Sequence, residues 1–188
     1  MHSHPIPLAV RAGHLARHDL AKLAASSVPA GALAASLALL AGILGWHGAD
    51  TPNAIFRIDA FRAAGLVLWN AAWYGGHSTL GYSALLPVLG AALGPTLLGA
   101  ACAVAAAMCA DRLLRTATVA TAGQRRAASA LFAAGTVTNL AVGRLAFALG
   151  LALALAAILA ACERHWWLAG GLSAVSYTHL TLPTIYSV

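Results

Sequence analysis

The chain has 188 residues, of which 61% are hydrophobic and 9% charged, with a net charge of +6 at neutral pH and a mean hydropathy of +0.80. Water-soluble domains are about 45–50% apolar and about 25% charged, so this composition excludes a surface coated by charge and points to lipid as the solvent. The basic residues stand in short clusters between apolar blocks, without a stripe of interleaved aromatics, which excludes nucleic acid as a partner.

The expected fold class is all-α: an integral membrane bundle fragment of about four transmembrane helices plus the start of a fifth. Residues 1–28 carry Arg11, Arg17, Lys22 and the histidines His2, His4, His14 and His18. A secretory signal would need an apolar core directly followed by a cleavage site, and the apolar core starts only near Val28, so this segment reads as a basic cytoplasmic lead. His14 and His18 have the one-turn spacing of metal ligands, but a solvated basic tail explains them as well, and no metal or other cofactor is indicated.

Residues 29–46 form an uninterrupted apolar run ending at Trp46, an interfacial residue type, and predict helix one. Residues 47–83 are the most polar natural stretch and predict a structured outer loop. Residues 84–110 are apolar but broken by Pro87 and by Gly94-Pro95. They predict either a short interfacial helix followed by a span or one kinked span. The loop to Arg126 carries Arg112, Arg115, Arg125 and Arg126, a cytoplasmic signature.

Residues 127–162 would make about 54 Å of helix, too long for one span and sufficient for two, so a hairpin is predicted near Val142-Gly143-Arg144. Glu163, Arg164 and His165 then face the cytoplasm, and Trp166-Trp167 open a fifth span. With the N-terminus inside, every lysine and arginine falls on a cytoplasmic segment except Arg57, Arg62 and Arg144, as the positive-inside rule requires. The expected location is the cell (inner) membrane, multi-pass. Cys102, Cys109 and Cys162 lie in or beside apolar blocks without ligand spacing and read as small packing residues.

The run from Val175 to Thr184 resembles an in-frame translation of a transposon adapter used in sequencing libraries (GTC TCT TAT ACA CAT CTG ACG CTG CCG ACG). Ile185 to Val188 fit the index and final valine that follow it. Residues 175–188 are therefore expected to be a non-native tail, with the natural sequence running to about Ala174 and continuing in a longer protein. The transmembrane domain is then 29–174.

The outer loop gathers Phe56-Arg57-Ile58-Asp59-Ala60-Phe61-Arg62, Trp69-Asn70, Trp73-Tyr74-Gly75-Gly76-His77, Gly81-Tyr82-Ser83 and Pro87. In this it resembles the first outer loop of the polytopic membrane glycosyltransferases of the GT-C superfamily, where an acidic residue after helix one precedes a short helix, a tryptophan and Gly-rich turn and a Tyr/Pro element. The stretch beginning Asn139-Leu140 and running through Arg144 resembles a hairpin that recurs in such proteins. The family often has a pair of acids in this loop, whereas Asp59 has no acidic neighbour.

The resemblance implies transfer of a sugar from a polyprenyl-phosphate donor at the outer face. Asp59 is then the expected catalytic base. Arg57, Arg62 and Arg144 are expected to hold phosphate, and Trp73, Tyr74 and His77 to contact sugar or acceptor. Each has a plainer alternative. Asp59 pairs with Arg62 at i,i+3; Trp69, Trp73 and Tyr74 belong to an interfacial belt; His77 is a loop histidine; Arg144 snorkels. Asp50, near Trp46, is the alternative acid. A transporter or flippase would put its polar groups at the bilayer midplane in broken helices, and a non-catalytic membrane scaffold would need none of these residues.

Overall fold

The computed structural model of the chain describes residues 27–67, 69–70, 76, 79–80, 83–117 and 120–180. The histidines and basic residues of the lead, and Trp73, Tyr74, His77 and Tyr82, lie outside the described residues. Among the described residues seven helices carry the fold: α1 (Val28–Ile43), α2 (Thr51–Ala64), α3 (Leu85–Leu93), α4 (Pro95–Ala117), α5 (Ala122–Val142), α6 (Leu145–Cys162) and α7 (Trp166–Leu180). Between α2 and α3 a two-residue ladder pairs β1 (Trp69–Asn70) antiparallel with β2 (Thr79–Leu80), Trp69 opposite Leu80.

Local chemistry explains the boundaries. Pro29 and Pro52 sit in the first turns of α1 and α2, where proline costs no helical hydrogen bond. The predicted outer loop therefore contains a real helix, α2, bounded by Gly65. The break at 94–95 resolves into the first of the two alternatives: Gly94 takes φ +80°, which a side chain would resist, and Pro95 starts α4 afresh. α1 ends at Ile43, three residues short of the predicted terminus at Trp46.

A reciprocal capping box opens α5. The Thr121 backbone N–H donates to Gln124 Oε1 (2.9 Å) and the Gln124 N–H donates to Thr121 Oγ1 (3.3 Å). Replacing Thr121 with alanine removes one of these bonds, and thermal unfolding in detergent is expected to report a loss of about 1 kcal/mol, the usual cost of an N-cap.

The predicted hairpin lies where its length required. α5 ends at Val142, Gly143 is left-handed (φ +90°) and α6 begins at Leu145. α4 is the central helix and packs against α1, α5 and α6, while α2 lies on α3 and α7 on α6. Contact between α2 and α3 is close because Gly90 offers no side chain: a Cβ there would lie 2.5 Å from the Ile58 side chain.

The distribution of side-chain size is inverted relative to a soluble bundle. Most buried apolar residues are alanines, such as Ala34, Ala106, Ala107 and Ala133, whereas Leu39, Ile43, Leu97, Leu131, Phe147 and Ile158 are exposed. Small residues let the helix backbones approach closely, and large ones point outward into the solvent. Among the described residues two segments, Pro95–Thr116 and Leu145–Cys162, are long and apolar enough to cross a membrane, and α1 is a shorter apolar helix.

α7 starts at Trp166, the residue predicted to open a further helix, but it does not stop at the change of texture after Ala174. It continues to Leu180, and Ser176 and His179 are buried. Once a helix is nucleated each added residue gains a hydrogen bond, and α6 presents Gly150, against which the added turns pack.

Candidate functional site

The antiparallel course of the helices sorts the ionisable groups of the bundle into two layers. One layer joins the segment before α2, α2 itself and the α5–α6 turn. The Asp50 N–H donates to the Val142 carbonyl (3.1 Å), and the Arg144 guanidinium meets the Asp50 carboxylate at 3.1 Å across 94 residues of chain. From α2, Arg57 Nη2 donates to the Ser83 carbonyl (3.2 Å), tying α2 to the start of α3.

These groups line a cavity of about 470 Å³ whose wall includes Asp50, Asn53, Arg57 and Arg144 together with Leu86 and Leu145. Two guanidiniums beside one carboxylate leave the rim net cationic, and guanidinium's fork suits a phosphate or carboxylate. A separate apolar groove of about 870 Å³ runs between α1 and the α3–α4 junction, lined by Ala38, Gly42, Leu93, Gly94 and Leu97 among others.

Of the residues singled out from the sequence, the cavity brings together Arg57 and Arg144, with Asp50, the alternative acid, in the same wall. Asp59 and Arg62 are not in that wall. Asp59 forms a 3.1 Å ion pair with Arg62, both side chains more than half exposed, and Arg62 also donates to the Ala91 carbonyl at 3.3 Å. This is the i,i+3 pair that the spacing offered as the plainer account, and such an exposed pair contributes at most about 1 kcal/mol. Trp69 is 61% exposed at the edge of the ladder. Trp73, Tyr74 and His77 lie outside the described residues.

At the opposite end, Asp111 near the end of α4 is only 2% exposed. Its carboxylate accepts from Arg115 Nε (2.7 Å) and from Ser129 Oγ on α5, and Ser27 at the head of α1 bonds it as well. Arg112 reaches Glu163 at the end of α6 at 2.5 Å. The sequence places Asp111 and Arg112 at the end of an apolar block and Arg112 and Arg115 in the basic loop that follows, whereas α4 runs on through them to Ala117. The i,i+4 spacing of Asp111 and Arg115 was a legible sign of a pair, but the part played by Ser27, Ser129 and Glu163 required three other helices to arrive at the same level. Among the described residues no group of three His, Cys, Asp or Glu side chains could hold a metal ion. No family model matches the chain, and no curated protein or solved structure is similar to it.

Proposed function

We propose that this chain is part of a larger multi-pass inner-membrane protein in which α1, α4, α5 and α6 are spans, the N-terminus is cytoplasmic, and the outer layer transfers a sugar from a polyprenyl-phosphate donor. The observation that carries the membrane part is the sorting of charge: Asp111, Arg112, Arg115 and Glu163 lie at one end and Asp50, Arg57 and Arg144 at the other. Between them α6 is 18 residues long, about 27 Å of helix, close to the hydrocarbon thickness of a bilayer. Leucines turned outward over an alanine interior fit the same solvent.

The cavity at the outer end carries the functional part. Arg57 and Arg144 suit the anionic phosphate of a lipid-linked donor, and the apolar groove beside α1 suits an isoprenoid tail. Asp50 shares the cavity wall with both cations, which favours it over Asp59 as the group that takes the acceptor proton.

The test is sugar transfer by the complete protein with Asp50→Asn and Asp59→Asn. A general base contributes about 10²–10⁴-fold, so Asp50→Asn is expected to lose at least about 10²-fold in turnover while Asp59→Asn stays near the parent rate. Loss with Asp59→Asn alone would return the role to that residue, and full turnover in both would remove the transfer chemistry. Movement of the intact lipid-linked sugar across the membrane, without cleavage of its glycosyl bond, would instead favour a flippase.

A further inference from the structure

The end of the bundle opposite the cavity combines an excess of cations with an exposed aromatic pair. Arg112, Arg115, Arg125, Arg126 and Arg164 meet at this end, because Arg112 bonds Glu163 at the end of α6 and Ser129, one turn beyond Arg125 and Arg126, bonds Asp111. Among the described residues the carboxylates here are Asp111 and Glu163, and each already faces an arginine, Arg115 at 2.7 Å and Arg112 at 2.5 Å. Arg125, Arg126 and Arg164 therefore leave the surface net cationic, and the side chains of Arg126 and Arg164 are exposed. Directly after Arg164 and His165, the side chains of Trp166, Trp167 and Leu168 project outward, Trp167 being 96% exposed. All of these residues precede Val175, where the stretch read as a non-native tail begins.

The turn between α6 and α7 adds a second observation. Its backbone closes α6 as a Schellman motif: the Arg164 N–H donates to the Ala161 carbonyl (3.0 Å) and the His165 N–H to the Ala160 carbonyl (2.8 Å). The residue at this closure takes the left-handed conformation that glycine fills without strain. Here it is Arg164, at φ +65°. A strained backbone is retained where the side chain has a use, and among the described residues no ion pair engages this guanidinium. We infer that this end of the bundle is a docking surface for anionic phospholipid: Arg125, Arg126 and Arg164 hold headgroup phosphates through the guanidinium fork, and Trp166 and Trp167 lie at the boundary between headgroups and hydrocarbon. Lipid, not a dissolved phosphate, is the occupant, because the same surface exposes large apolar side chains that a small anion would leave in water and a bilayer would cover. The inference rests on the reading of α4 and α6 as spans, in whose orientation this end meets the cytoplasmic leaflet and its anionic lipids.

The experiment places the full chain, with Trp46, Trp69 and Trp73 changed to phenylalanine, in phosphatidylcholine vesicles that contain either brominated phosphatidylglycerol or brominated phosphatidylcholine. Bromine quenches tryptophan fluorescence on contact, so Trp166 and Trp167 report which lipid sits beside them. A basic residue at an anionic surface contributes roughly 5-fold in affinity, so phosphatidylglycerol is expected to be preferred by about 10-fold or more, and Arg164→Gly to cut that preference by about 5-fold. Because glycine suits the left-handed position, Arg164→Gly should unfold at or above the parent's Tm, which separates the loss from misfolding. Arg126→Gln should lower the preference as well. A chain keeping Trp46 as its sole tryptophan, beyond the far end of α1, should show none. Equal quenching of Trp166 and Trp167 by the two lipids, a preference unchanged in both arginine variants, or the same preference at Trp46 overturns the inference. In each of those cases the membrane reading stands, provided the chain floats with the vesicles, and a chain that floats with neither kind overturns both.

Discussion

Gly143→Ala is expected to destabilise the protein by about 2–5 kcal/mol, the sum of a left-handed backbone forced on a side chain and an overpacked contact. Gly143 has φ +90°, and a Cβ there would lie 2.7 Å from Thr51 Cα, with the Thr51 backbone nitrogen closer still. The neighbour is backbone, so it cannot swing aside as the end of a side chain can. Gly48 faces the Val142 backbone in the same way, and the Asp50 N–H to Val142 carbonyl bond lies between these two contacts. The segment leading into α2 and the α5–α6 turn are thus stacked main chain on main chain.

Gly45→Ala provides the comparison. Gly45 also has a positive φ (+64°), but nothing lies within 4 Å of its would-be Cβ, so only the conformational strain remains, on the order of 1 kcal/mol. Unfolding in detergent micelles measures both variants. Gly143→Ala costing no more than Gly45→Ala would mean that the two segments are not stacked, and the Asp50–Arg144 pair would lose its structural basis.

The second large effect is expected at the other end of the bundle. Asp111→Ala should lower stability by about 2–4 kcal/mol, because removing one partner of a buried charged network strands the others. Arg115 and Ser129 would both lose their acceptor, and α1, α4 and α5 would lose the group that ties them together at this level. Asp111→Asn, which keeps an acceptor oxygen but no charge, should fall between the parent and Asp111→Ala. Asp59→Ala should cost less than about 1 kcal/mol, since its ion pair with Arg62 is solvated. A cost at Asp111 no larger than at Asp59 in the same unfolding assay would show that the polar cluster around Asp111 does not hold the helices.

Much of the architecture was legible along the chain. The hairpin followed from length alone, since 127–162 is too long for one bilayer crossing, and Gly143 is the residue that could take the left-handed turn. An interruption at Gly94-Pro95 was legible too, but glycine followed by proline leaves a kinked span as open as two helices, and it is the φ of +80° at Gly94 that divides α3 from α4. Less was legible where helical periodicity was weak. α2, within the stretch 47–83, carries Asn53, Arg57, Asp59 and Arg62 over 14 residues, and its polarity reads as loop until Pro52 and Gly65 are seen to bracket a helix. The continuation of α7 past Ala174 was not legible at all, because it depends on Gly150, which is 24 or more residues upstream on another helix.

The candidate site divides along the same line. Arg57 and Arg144 were nameable from charge and position, and the Asp59–Arg62 pair from spacing, since neighbours one helical turn apart meet whatever the rest of the chain does. The meeting of Asp50 with Arg144 is of another kind, because no local rule brings together residues 94 positions apart.

The sequence by itself determined the helical class and the positions of the main turns, because composition, helix length and the backbone limits of glycine and proline act locally. Only the tertiary structure decided which charges share a cavity and which merely pair in water. That outcome depends on antiparallel helices bringing distant residues to the same height, on Gly48 and Gly143, which let two stretches of backbone approach, and on Gly90, which leaves room for the Ile58 side chain.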